Sequence, residues 1–262
     1  MLLVTGASGY LGSELLRRRP DAVGTYLTGR ARGFALDVRD GAAVRAAFER
    51  VRPTAVIHTA YRQDDRTTTL DGARAVAEAA VDVEARLVHL STDVVFDGEK
   101  EGPYREGDQP CPITDYGRAK ADAEREVAAA YPAALIVRTS LLYGAARPGP
   151  QERLAADPQA VFFCDEIRSP THVGDLAKAL LELAQLDLSG LLHVAGGDSI
   201  DRLELARLLV AARGGDPSRL RGATGPGSGL VRPRNCALSS ARARSLLTTE
   251  LRGARAVLAP RR

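Results

Sequence analysis

The first five residues, Met1 to Thr5, form a short apolar run that breaks at Gly6, and Leu11, Leu15 and Leu16 then recur at helical spacing from about Ser8. Apolar residues three and four apart line one face of a helix, whereas a short unbroken apolar run fits a buried strand, so the opening reads strand, tight turn, helix. The pattern repeats downstream. It predicts strands over 22–27, 33–36, 55–58, 87–90 and 134–137, and helices over 42–51, 70–81 and 115–130. Short apolar strands alternating with amphipathic helices imply a parallel sheet covered on both faces, a Rossmann-type doubly wound α/β fold.

After Tyr143-Gly144 the punctuation changes. Residues 147–150 read as a loop, and a strand over 161–164, a helix over 173–186, a strand over 191–194 and a helix over 203–212 follow. The glycine-rich stretch 221–235 reads as a long surface loop. These breaks divide the chain into residues 1–144, a Rossmann-type domain, and residues 145–262, a smaller α/β lobe interleaved with the sheet.

Composition narrows the function classes. In 262 residues, 36 Lys and Arg against 33 Asp and Glu leave a net charge of +3, too balanced for a dedicated nucleic-acid binder. Tryptophan is absent and aromatic residues are few, which argues against a base-stacking platform. The uncharged stretch 1–13 holds three glycines and reads neither as a signal peptide nor as a membrane span, so no membrane partner is expected. Cys111, Cys164 and Cys236 are widely spaced, as expected of reduced thiols in a cytoplasmic protein. His58, His89, His172 and His193 do not fall at metal-ligand spacing; they read as core or loop histidines and no protein metal site is expected.

Candidate chemistry lies at three places. Gly6-x-x-Gly9-x-x-Gly12 falls between the first strand and the first helix, where backbone amides at a helix N-terminus hold a pyrophosphate; Gly6, Ser8, Gly9, Tyr10 and Leu11 are the candidate ligands. The second strand ends without a carboxylate, and Arg30 and Arg32 there favour the 2′-phosphate of NADP(H), with NAD(H) the alternative. Tyr116 and Lys120, four residues apart at a helix start, share one face, where the ammonium favours the phenolate and suits the phenol for proton transfer. Such a pair arises by chance about 0.08 times in a chain of this composition. Ser91-Thr92-Asp93 follows a buried strand, and Thr92 or Ser91 there suits a hydrogen bond to a substrate carbonyl oxygen, with a turn-capping role for Ser91 or Asp93 as the alternative.

Together, Thr5-Gly6-x-x-Gly9-x-x-Gly12, Ser91-Thr92-Asp93-x-Val95-Phe96 and Tyr116-x-x-x-Lys120 resemble the extended short-chain dehydrogenase/reductase family in content and order. Within it the chain is similar to the dTDP-4-dehydrorhamnose reductases and, nearly as closely, to the NADP-binding regulatory beta subunits of methionine adenosyltransferase. The likeness extends to Pro103-Tyr104-Arg105-Glu106, Ser169-Pro170-Thr171-His172-Val173 and Arg232-Pro233-Arg234-Asn235. It implies Thr92, Tyr116 and Lys120 as the catalytic set, with Lys120 also on the nicotinamide ribose. It further implies Asp37 and Val38 at the adenine, Thr59, Ala60 and Tyr61 as cofactor contacts, and Thr92, Asp93, Tyr116 and Arg232 at the substrate, Arg232 meeting a nucleotide-sugar diphosphate. The relatives often pair as homodimers. Three departures bear on the substrate: Leu141 stands where the reductases typically carry Trp and the regulatory subunits an aliphatic residue, the segment from Tyr61 to Thr69 is shorter than in either relative, and the whole chain is shorter than typical reductases. The implied activity is NADPH-dependent reduction of a keto group on a nucleotide-linked deoxysugar; the alternatives are an NADP-binding regulatory subunit and a sugar-nucleotide epimerase.

Overall fold

The computed structural model describes residues 1–29, 31–225 and 229–259. Its larger elements in chain order begin with β1 (Leu2–Thr5), α1 (Tyr10–Arg18), β2 (Val23–Tyr26), β3 (Gly33–Ala35), α2 (Gly41–Val51), β4 (Ala55–His58), α3 (Arg66–Asp82), β5 (Arg86–Thr92), α4 (Asp115–Ala130) and β6 (Leu135–Thr139). Shorter pieces follow: β7 (Leu142–Tyr143), α5 (Pro150–Ala155), β8 (Val161–Phe163), β9 (Ile167–Arg168), β10 (Thr171–His172), α6 (Val173–Leu183) and β11 (Gly190–His193). The last are β12 (Ile200–Asp201), α7 (Arg202–Ala211), β13 (Arg221–Ala223), α8 (Ala241–Leu246) and α9 (Ala254–Leu258).

Seven strands form one sheet in the order β11-β6-β5-β4-β1-β2-β3. From β3 through β5 the pairing is parallel, with Val4 opposite both Gly24 and Ile57, and Ile57 opposite Val88. This is the doubly wound Rossmann arrangement, and the order reverses between β1 and β4, where the carboxyl ends of such sheets receive ligands. The central strands are apolar on both faces because helices cover both. Leu3, Val56, Leu87 and Ile136 from the strands pack with Val44 and Phe48 of α2, Val76 of α3 and Val127 of α4 in one buried cluster.

Three of the α-helices start on aspartate caps, Asp40 accepting from the Ala43 amide and Asp65 from the Thr68 amide, each at 3.0 Å, and Asp201 from the Glu204 amide at 2.8 Å. The Asp65 cap explains why α3 begins a turn before the expected residue 70. Its first turn, Arg66-Thr67-Thr68-Thr69, carries no apolar stripe and is set by hydrogen bonds instead, Thr68 Oγ1 donating to Asp65 and Thr69 Oγ1 to the Arg62 carbonyl. β5 also runs two residues past its apolar core, so Ser91 and Thr92 end a strand.

The chain divides into two compact units: residues 1–92, 115–137 and 177–192, and residues 93–114, 138–176 and 193–262. The change of character after residue 144 therefore falls inside the second unit. That unit is built on short pairings, β7 with β10 and β8 with β13 in parallel, β9 with β12 antiparallel. Its core gathers Tyr143, Phe162, Leu203, Leu205, Leu209 and Ala254. The stretch 221–235, expected as a loop throughout, thus opens as a strand: Arg221–Ala223 pairs with Val161–Phe163, a register no local periodicity in Arg-Gly-Ala could reveal. Among the described residues no helix is long and apolar enough to cross a membrane.

Phe48, wholly buried against the sheet, is expected to set the stability of the first unit. Phe48→Ala should lower the unfolding free energy by about 3–5 kcal/mol in urea denaturation followed by circular dichroism.

Candidate active site

The turn after β1 closes tightly on itself. Gly6 adopts φ +70°, and a Cβ there would lie 2.8 Å from the Ala60 amide nitrogen; a Cβ on Gly12 would lie 2.3 Å from the Gly6 carbonyl oxygen. Only glycine fits at either position. The Gly9 amide donates to the Gly6 carbonyl at 2.9 Å, the Ala7 amide to the Thr25 carbonyl of β2 at 2.8 Å, and α1 starts at Tyr10 with Gly9 as its cap. A side-chain-free helix start beside a glycine turn fits a pyrophosphate, held by amides and the positive end of the helix. Ser8 Oγ donates to the Thr28 carbonyl at 2.9 Å, and the Leu11 side chain is buried, so Leu11 can serve a ligand only through its backbone.

The remaining cofactor candidates surround this turn. Thr59 Oγ1 donates to the Thr5 carbonyl at 2.7 Å, tying the end of β4 to β1, and Ala60 backs Gly6. Arg39 forks the Asp37 carboxylate at 2.7–3.1 Å, which holds that carboxyl below the usual range, and Arg39 also reaches Asp65 at 3.4 Å. Val38 is buried against Gly72 of α3. Arg32 is already committed, donating to the Leu16 carbonyl in α1 at 2.9 Å. Arg30 lies outside the described residues.

The start of α4 carries the titratable pair. Lys120 is only 3% exposed; its Nζ donates to the Leu90 carbonyl at 2.5 Å and stands 3.5 Å from His89 Nε2. Burial draws this ammonium down to about 8, against the opposing pull of the Glu124 carboxylate one turn on. The Tyr61 ring lies 5.7 Å from the half-buried Tyr116 ring and 5.9 Å from the Lys120 Nζ, so the structure brings Tyr61, Tyr116 and Lys120 together. Ser91 Oγ donates to Glu124 Oε1 at 2.5 Å, which engages Ser91 with α4. Strand alternation sets Thr92, the last residue of β5, on the opposite face from Ser91.

In the second unit, Asp93 is buried, accepts from Ser140 Oγ at 2.5 Å and faces Arg168 Nε at 3.8 Å. Arg232 lies 5.0 Å over the Phe163 ring and donates to Glu166 Oε1 at 3.1 Å. The other Glu166 oxygen faces Arg202 at 3.4 Å and Arg168 at 3.7 Å. Three guanidinium groups therefore meet one buried carboxylate, with Arg232, its side chain 40% exposed, the outermost. Glu166, Arg168 and Arg202 escaped the sequence reading because no local motif marks them.

Sequence reasoning also missed a pairing. His58 and His89 are both 1% exposed, oppose each other in register on β4 and β5, and stack at 5.2 Å. The available signal was their equal height on consecutive parallel strands. Burial, then the Lys120 charge, pushes His58 down to about 3 and His89 well below the usual imidazole range. Unfolding restores both to near 6.5, so below that pH the unfolded chain binds more protons and stability falls as pH drops toward the folded values. The expected loss is about 1.4 kcal/mol per pH unit for each histidine. Urea denaturation of wild type and His58→Phe from pH 6.5 to 4.5 checks it, the variant showing the shallower decline.

Comparison with known proteins agrees with this geometry. Residues 1–260 match the family described as RmlD substrate binding domain. The chain is 38% identical to a dTDP-4-dehydrorhamnose reductase of Streptomyces griseus, over 98% of this chain and 91% of that one. It is 30% identical to methionine adenosyltransferase 2 subunit beta of Pongo abelii, over 94% and 82%. Among solved structures, a Bacillus anthracis dTDP-4-dehydrorhamnose reductase in complex with NADP superposes with a TM-score of 0.85 at 26% identity, covering 98% of this chain and 96% of that one. With a Rossmann sheet, a glycine turn that admits no side chain and a Tyr-Lys pair at the head of α4, the chain belongs to the RmlD substrate binding domain family and is an NAD(P)-dependent oxidoreductase of the short-chain dehydrogenase/reductase type.

Proposed function

We propose that the protein uses NADPH to reduce a keto group on a nucleotide-linked deoxysugar. The observation that carries this reading is Lys120, a buried ammonium bonded to the carbonyl of Leu90 near the end of β5, one helical turn from Tyr116. The reduced nicotinamide, when bound, supplies hydride. The chain's own residues supply the rest. The turn from Gly6 to Leu11 holds the pyrophosphate, and Lys120 donates to the nicotinamide ribose. Tyr116 delivers the proton: its phenol O–H breaks as an O–H forms on the former carbonyl oxygen, and the nearby ammonium stabilises the phenolate left behind. Thr92 donates a hydrogen bond to the same oxygen and withdraws electron density from the carbonyl carbon.

Two relatives named dTDP-4-dehydrorhamnose reductase support the sugar nucleotide, and the NADP bound to the one from Bacillus anthracis supports the phosphorylated cofactor. Arg232 is assigned to the diphosphate, since a guanidinium pairs well with phosphate oxygens and this one keeps an exposed edge. A second reading, an NADP-loaded regulatory subunit, draws on the likeness to methionine adenosyltransferase 2 subunit beta and on the aliphatic Leu141.

Purified protein mixed with NADPH and dTDP-4-keto-6-deoxysugars should deplete the reduced-nicotinamide absorbance, and NADH should support slower turnover. Tyr116→Phe should cut kcat at least about 100-fold. Equal turnover by that variant excludes the mechanism, and tight NADPH binding without turnover on any keto sugar favours the regulatory reading. Arg232→Ala should raise KM for the sugar nucleotide by about 10-fold or more with a smaller change in kcat.

A further inference from the structure

Beneath the Tyr-Lys pair lies a polar group that the reaction above does not use. His58 Nδ1 is 2.6 Å from Thr5 Oγ1 on β1, and the His58 ring stacks on that of His89, with 23° between the planes. His89 Nε2 in turn faces Lys120 Nζ at 3.5 Å. The two remaining ring nitrogens, His58 Nε2 and His89 Nδ1, are buried with no hydrogen-bond partner among the described residues. Unpaired buried nitrogens are costly, and an apolar residue at either position would avoid that cost.

The chemistry of Lys120 fixes the tautomer of His89. An ammonium carries three N–H donors and no lone pair, so a nitrogen facing it can only accept. The His89 ring proton therefore sits on Nδ1, the very atom left unpaired. One Lys120 N–H goes to the Leu90 carbonyl, a second to His89 Nε2, and a third remains for a ligand.

We propose that His89 is a positioning residue for Lys120: its neutral imidazole takes one ammonium N–H, and with the Leu90 carbonyl it orients the third toward the bound cofactor. His58, anchored by Thr5, steadies the His89 ring by stacking. The proposal rests on the reading of Lys120 as a ribose ligand. The groups facing this ammonium are His89 and the Leu90 carbonyl on β5, His58 on β4, Tyr61 after β4, and Glu124 and Tyr116 on α4. Glu124 Oε1 accepts from Ser91, and His89 Nε2 lies 3.5 Å from Nζ.

The chain holds only three lysines, Lys100, Lys120 and Lys178, and four histidines, so isotope-labelled lysine and histidine give few and assignable nitrogen signals. In the free wild-type protein, His89 should appear as the Nδ1–H tautomer; a proton on Nε2 overturns the proposal without any variant. His89→Leu should lower the Lys120 titration midpoint by about one pH unit, since a hydrogen bond to the charged form is lost. It should also cut kcat by about 10-fold and move the alkaline limb of the kcat profile by the same amount. His89→Gln, whose amide oxygen can accept, should recover most of both. A His89→Leu protein that folds with the wild-type midpoint and pH profile overturns the proposal, as does a His89→Gln that recovers neither. Tautomer and midpoint are read without substrate, so a wild type inactive on every keto sugar defeats the reductase reading alone.

Discussion

The proposed chemistry of this protein depends on one charge kept away from water. Moving an ammonium into a protein interior is costly, and the cost is borne only where fixed dipoles replace the lost hydration. Around Lys120 those dipoles are the Leu90 carbonyl, the His89 ring and the face of Tyr61, with the Glu124 carboxylate one turn along the helix. They come from β5, the loop after β4 and α4, so the sheet has to be in register for the lysine to keep its charge once buried. The charge and the fold are coupled.

The glycine turn imposes the opposite kind of constraint, on volume instead of charge. Gly6 and Gly12 have backbone where a side chain would stand, and the end of β4 presses on the turn through Ala60. Thr59 closes the same gap with a hydrogen bond to β1. The C-terminal ends of β1 and β4 are thus held close by one steric and one polar contact, and the amides at the start of α1 stay uncovered by any side chain of the cap.

The parts legible in the sequence are those with a local signature. The bounds of β4 and α4 coincide with the apolar run 55–58 and the helical pattern 115–130, because burial on both faces and on one face leave distinct periods. The start of α3 was hidden by a run of threonines, of which Thr68 and Thr69 work through their hydroxyls. The short pairings of the second unit carry no period at all. Partnerships across long sequence distances were equally invisible: Arg232 with Glu166, Arg32 with the Leu16 carbonyl, and His58 with His89 each depend on which strands or loops become neighbours. The candidate site residues could be named one by one, whereas their commitments to each other could not.

The alternation of the two units along the chain has a consequence for biosynthesis. The polypeptide passes from one unit to the other five times, and the seventh strand of the main sheet, β11, ends at residue 193. A nascent chain leaving the ribosome therefore exposes an incomplete sheet edge at β6 until about three quarters of the protein has been made. Neither unit can be released as a contiguous fragment by a single cut, and the many long-range contacts favour slow, all-or-none acquisition of structure over stepwise assembly of independent modules.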